Sequence, residues 1–289
     1  MMRDQAETLR LKMLKSQGEL SRSIAIVSGK GGVGKSNFST NFAHALLSQG
    51  KTVMIVDMDI GMGNIHILLG MAPPYSLKDY LLGNEELHEI INETPEGLHF
   101  ISGGSGLDNV LEWSKEMFER LIQAFEYLQQ KYDFILFDMG AGATQRSIEL
   151  IVAVDEIIVI STTEPTSITD AYSMMKFIYL QDPDKTFHLV SNRVSKGEEG
   201  NEAVVRLQYA MRKFLNKETT ILGYLPEDPT VHKAVVAQQP FLLLFPNAPI
   251  SKKMRSIAET FVGANSSEGF KQGEGFLGKL RNIFTKGRG

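Results

Sequence analysis

Short runs of almost unbroken apolar residues recur along the chain, most of them closing on a glycine, a carboxylate or an asparagine, with longer stretches of helical period between them. The runs at 24–27, 52–57, 134–138, 157–161, 187–191 and 221–225 show little alternation. That pattern predicts strands covered on both faces, as in a parallel sheet. Residues 97–104 (GLHFISGG) predict a further strand running into a glycine-rich turn. Helical spacing follows at 37–47, which stops at Gln49-Gly50, and through Trp113, Phe118, Leu121, Ile122, Phe125 and Leu128. Another helix should start at Thr166 or Ser167. Residues 71–90, with Pro73-Pro74, read as a connection carrying short helices. Six or seven strands alternating with helices predict an α/β fold with a doubly wound, mostly parallel sheet.

The two ends differ from this body. Residues 1–22 form a leader of helix-forming composition whose apolar stripe (Ala6, Leu9, Met13, Leu20) is imperfect, with Arg3, Arg10, Lys12 and Lys15 around it. A loosely docked helix and a partner-binding segment are both open readings. The main domain takes 23–262, and 263–275 is small, polar and glycine-rich, as a linker should be. In 276–289, Phe276, Leu277, Leu280, Ile283 and Phe284 fall within an arc of about 120° on a helical wheel, bordered by Lys279 and Arg281. The linker and basic border favour an amphipathic helix that lies on an anionic membrane surface over one docked on the core. One such helix, gaining roughly 1 kcal/mol per partly inserted side chain, would bind weakly. Two on a dimer would hold far better, because the second insertion is intramolecular.

Composition narrows the classes. With 289 residues and a net charge of −4, the chain can bury a full core and is no general coat for nucleic acid. It has no cysteine, which excludes disulfides, thiolate zinc and cysteine-ligated iron–sulfur clusters. No secretory signal and no apolar run of membrane-spanning length is present, so the expected place is the cytoplasm.

The chemistry concentrates in 24–38, IAIVSGKGGVGKSNF. Gly29, Gly34, Lys35 and Ser36 satisfy G-x-x-x-x-G-K-[ST] between a strand and a helix, the phosphate loop of nucleoside triphosphatases. Backbone amides from Gly29, Lys30, Gly31, Gly32, Val33, Gly34, Lys35, Ser36 and Asn37 are the expected cradle for phosphate, with the helix N-terminus behind it. Lys35 would bridge the β- and γ-phosphates and Ser36 would hold Mg²⁺. Asp57 and Asp59 stand at the carboxyl end of the second strand and Asp138 ends another, where ligands bind in such sheets. Asp138 fits the acid that receives a Mg²⁺-bound water.

Lys30 extends the loop to GKGGVGKS, which resembles the deviant Walker A motif of the MinD/ParA ATPases. That resemblance implies a MinD-like P-loop fold, ATP/ADP and Mg²⁺ as ligands, and an ATP-bound homodimer in which Lys30 reaches the neighbouring subunit's phosphates. It also implies catalytic roles for Lys30, Lys35 and Asp59, the last orienting the attacking water. The metal shell would be Ser36, Asp57 and Asp138. Asn64 matches the switch I asparagine. Asn192, with Arg193 beside it, resembles the residue that reads the adenine edge, and Pro226 and Asp228 the loop that closes over the base. The leader DQAETLR, GMGN and DMGAG resemble the flagellar FlhG (YlxH, FleN) branch. Relatives often carry proline at the position of Gly140. In that branch the leader, here Asp4, Gln5, Ala6, Leu9 and Arg10, stimulates the GTPase FlhF. Partners implied are FlhF, flagellar C-ring components and the inner membrane surface, with flagellar placement or number as output. A division-site MinD, a DNA-partitioning ParA and a synthetase on the same fold are the alternatives.

Overall fold

The computed structural model describes residues 21–60, 62–104, 114–140, 145–195, 197–264 and 275–286. Among the described residues, eight strands form one sheet: β1 Arg22–Val27, β2 Val53–Asp57, β3 Asn92–Glu93, β4 His99–Ile101, β5 Phe134–Asp138, β6 Glu156–Ser161, β7 Thr186–Val194 and β8 Thr220–Pro226. Their order is β3-β4-β2-β5-β1-β6-β7-β8, and only the β3–β4 pairing is antiparallel. The unbroken apolar runs become the central strands. Along β1, Ile24 and Ile26 enter one core with Phe38 and Phe42, while Ala25 and Val27 enter the core on the opposite face. Two faces, each needing cover, explain why the runs do not alternate with polar residues.

The helices are α1 Lys35–Leu47, α2 Ile65–Leu68, α3 Leu77–Leu81, α4 Leu87–Ile90, α5 Lys115–Gln129, α6 Gln145–Ala153, α7 Pro165–Gln181, α8 Gly197–Leu215, α9 Pro229–Val236, α10 Phe241–Leu244, α11 Pro249–Ala264 and α12 Phe276–Lys286. On α5 the predicted face from Phe118 to Leu128 is buried, and Ser114 caps the helix by accepting from the Met117 N–H. Trp113 lies outside the described residues. None of the described helices is long and apolar enough to cross a membrane.

The tail helix departs from the sequence expectation. Phe276, Leu277 and Leu280, assigned to a lipid-facing surface, are instead buried in the domain's own core. The Phe276 ring centroid lies 5.4 Å from that of Phe125 on α5 and 5.5 Å from that of Phe137 on β5. The basic border is paired as well: Lys279 Nζ is 2.8 Å from Asp182, and Arg281 bridges to Glu126. A basic border therefore does not mark a helix as undocked when carboxylates wait at the rim of its groove. The backbone of Ile283 and Phe284 continues the helix. The chain enters β1 at the end of α5, where the Ser21 N–H donates to the Gln129 carbonyl at 2.9 Å. The leader residues Asp4, Gln5, Ala6, Leu9 and Arg10, and residues 265–274 of the linker, lie outside the described residues.

Candidate functional site

The phosphate loop leaves β1 at the centre of the sheet, where neighbouring connections depart in opposite directions. Gly34 precedes α1 with φ 95° and Gly32 has φ 76°, left-handed values that favour glycine. A Cβ on Gly29 would run into the backbone of Asp170 and Ala171, so this glycine lets the loop rest on α7. Lys35, the first residue of α1, is buried and donates to Ser28 Oγ at 3.0 Å, and Ser28 Oγ donates to the Lys30 carbonyl at 2.7 Å. Burial lowers the Lys35 pKa, with Asp138 and then Asp59 opposing the shift. A desolvated ammonium at a helix N-terminus is a poorly compensated cation, and the natural complement is an anion.

Two hydroxyls meet Asp138. Ser36 Oγ donates to its Oδ2 at 2.6 Å and Ser39 Oγ to its Oδ1 at 2.7 Å. Burial still pushes the Asp138 carboxyl up despite both bonds. Asp57, its partner across β2 and β5, is pushed up to about 7 by burial first and then by Asp138. A hydroxyl beside buried carboxylates is an all-oxygen donor set, the chemistry that suits Mg²⁺, which keeps several waters and takes one or two protein ligands. Asp57 itself accepts from the backbone N–H groups of Asp59 at 3.0 Å and Ile65 at 3.2 Å. Its side chain thus ties down the 59–65 segment, while Ser36 and Asp138 stand 2.6 Å apart beside the phosphate loop.

Lys30 turns to its own chain, pairing with Glu164 just before α7 and lying 3.3 Å from Thr166 Oγ1. Of the residues assigned to adenine, Asn192 does stand against the phosphate loop: its Nδ2 donates to the Val33 carbonyl at 2.8 Å. Arg193 has φ 56° and lies beside Pro226, since Val194 pairs with Pro226 in the sheet. Asp228 is occupied as the cap of α9, accepting from the Thr230 N–H at 2.9 Å. Asn64 is exposed and donates to the Met62 carbonyl at 2.9 Å, while Asn37, in the first turn of α1, accepts through its carbonyl from Asn41 at 2.8 Å. Sequence reading missed Ser39 and Glu164. Ser39 was within reach, being three residues past Ser36 and so on the same helix face, whereas Glu164 carries no motif.

Comparison with known proteins fits this geometry. The family model described as "ParA: NUBPL iron-transfer P-loop NTPase" matches residues 19–262. The chain itself has no cysteine with which to ligate iron. It is 32% identical over 236 residues to "Antiactivator FleN" of Pseudomonas aeruginosa, covering 82% of this chain and 84% of that protein. It is also 32% identical to "Flagellum site-determining protein YlxH" of Helicobacter pylori, covering 83% and 81%. Among solved structures, the Pyrococcus horikoshii septum site-determining protein MinD complexed with Mg-ADP superimposes with TM-score 0.70 at 25% identity, covering 87% of this chain and 99% of that one.

Proposed function

The chain belongs to the MinD/ParA family of P-loop ATPases, as a relative of FleN and YlxH, and from that premise we propose that ATP pairs two copies of it and so controls whether its tail meets a membrane. Lys30 leaves Glu164 to reach the facing subunit's phosphates, while Lys35 holds the β- and γ-oxygens of its own. Ser36 and Asp138 would hold Mg²⁺, which would supply positive charge to the phosphates. Asp59 orients water in line with the γ-phosphorus, and the bond from phosphorus to the β–γ bridging oxygen breaks as the new one forms. Asn192, Arg193 and Pro226 would line the site of the base, a reading that Asn192 supports by bonding to the phosphate loop at Val33.

The observation that carries this reading is the seat of the tail. Helix α12 packs on α6, which begins just downstream of the loop leaving Asp138, and on α5. Phe137, whose ring meets Phe276, is followed directly by Asp138, so a shift of this strand end around a γ-phosphate would disturb the groove, and two freed helices on one dimer would bind anionic lipid together. The protein would then be peripheral on the inner face of the cell membrane. The name of the YlxH relative, a flagellum site-determining protein, points to flagellar placement as output, with flagellar number as the other reading. The leader would engage the GTPase FlhF through Asp4, Gln5, Ala6, Leu9 and Arg10. Exposed Leu180, Tyr209 and Phe214 on α7 and α8 offer a surface to protein partners such as C-ring components. The net charge of −4 argues against a DNA-partitioning role.

Flotation on anionic liposomes tests the switch, with ATP, with ADP, without residues 276–289, and with or without FlhF. Binding should require ATP and the tail. Asp182→Asn with Glu126→Gln removes the domain's half of both ion pairs and leaves the tail sequence intact, so this variant should float with ADP too. Equal flotation under all nucleotides for the wild type would remove the switch.

A further inference from the structure

Gly103 has no conformational reason to be glycine. Its φ is outside the left-handed region, whereas the next residue, Gly104, has φ +89°. The reason lies in what it touches. A Cβ on Gly103 would sit 2.9 Å from the Asp59 carbonyl oxygen, 3.0 Å from that of Asp57 and 3.2 Å from the Asp59 carbonyl carbon. All three are backbone atoms, and ordinary contact begins at 3.4 Å, so the 57–59 backbone would have to withdraw by roughly 0.5 Å.

The rest of this loop is tied to the same segment. The Gly104 carbonyl accepts from the Gly63 N–H at 3.2 Å, and Ser102 Oγ lies 3.2 Å from His66 Nδ1 on α2. Ser102 Oγ also accepts from the Gly104 N–H at 3.3 Å, and the Ser102 carbonyl accepts from the Leu77 N–H at 2.8 Å, which anchors the loop to α3. On the far side, a Cβ on Gly140 would approach the Asp59 carboxylate at 3.2 Å. Asp59, half-buried, is therefore flanked on two sides, its backbone against Gly103 and its carboxylate against Gly140. The sequence suggested only a turn for this second glycine cluster.

We infer that the 102–104 loop after β4 is a positioning element for ATP hydrolysis, holding the Asp59 backbone so that its carboxylate meets the attacking water. The inference rests on the proposed water-orienting role of Asp59. Displacing a water-positioning group by a fraction of an ångström slows the chemical step and leaves ground-state binding alone.

The test is a double-mutant cycle on the full chain, with kcat and nucleotide affinity measured for wild type, Gly103→Ala, Asp59→Ala and the double variant. Gly103→Ala should lower kcat on the order of 10- to 100-fold while ATP affinity stays within about threefold. In the Asp59→Ala background it should have no further effect. If Gly103→Ala does not fold, Ser102→Ala, which removes the His66 contact and adds no atom, should lower kcat in the same direction and be silent without Asp59. A wild-type kcat for Asp59→Ala removes the role of Asp59, and this inference with it. A slow Asp59→Ala beside a normal Gly103→Ala, or equal losses in both backgrounds, overturns the inference alone.

Discussion

Replacing Phe276 by alanine asks how firmly the tail helix is held. The ring is 1% exposed and lies between Phe125 and Phe137, and truncating such a phenylalanine costs about 3–5 kcal/mol. Helix α12 is the last described element and contributes no strand to the sheet, so most of that cost should fall on its local opening rather than on global unfolding. At about 1.4 kcal/mol per factor of ten, amide protection across 276–286 should drop ~10²- to 10³-fold or to the free-helix limit. Hydrogen exchange of the nucleotide-free protein, read by mass spectrometry on tail peptides, measures this directly. Leu280→Ala, also deeply buried, should show a similar loss. Unchanged tail exchange together with a large fall in global stability would show that α12 opens only when the whole domain unfolds. Release by a nucleotide switch would then be untenable.

Acid should expose a second weakness. His44 is buried on α1, and desolvation lowers its pKa to about 4 from 6.5. The unfolded chain therefore binds the extra proton first, and stability is lost as pH falls below 6.5 toward 4. By pH 5 the loss from this site should be about 2 kcal/mol, and urea unfolding at pH 7 and pH 5 should show it shrinking in His44→Met. Lys30 pairs with Glu164 of its own chain, so Glu164→Gln should lower the ATP concentration at which dimers form, measured by light scattering. Ser36→Ala should weaken Mg²⁺-dependent ATP binding and leave Mg²⁺-free ADP binding nearly unchanged by calorimetry, because the hydroxyl lost is the proposed metal ligand and otherwise meets only Asp138 among the described residues.

The sheet was legible because burial on two faces writes itself as an unbroken apolar run, and the phosphate loop because glycine, lysine and serine each have one job there. β3 escaped notice for the opposite reason. It comprises only Asn92 and Glu93, and it owes its place to pairing with Phe100 and His99. The tail shows the limit of periodicity. An apolar arc declares that something covers it, yet Phe276 reads the same whether the cover is lipid or Phe125. Asp182, which fixes Lys279, lies 97 residues away in the chain. Only folding brings them together, and the same holds for Gly103 against Asp59.

The central claim is that ATP joins two copies through Lys30. Light scattering on the Asp59→Ala chain with saturating ATP–Mg²⁺, compared with ADP and with Lys30→Gln, tests it most directly. The account predicts twice the monomer mass with ATP alone, and monomer with ADP or without Lys30. Monomer under every condition, or a dimer indifferent to nucleotide and to Lys30, would contradict it.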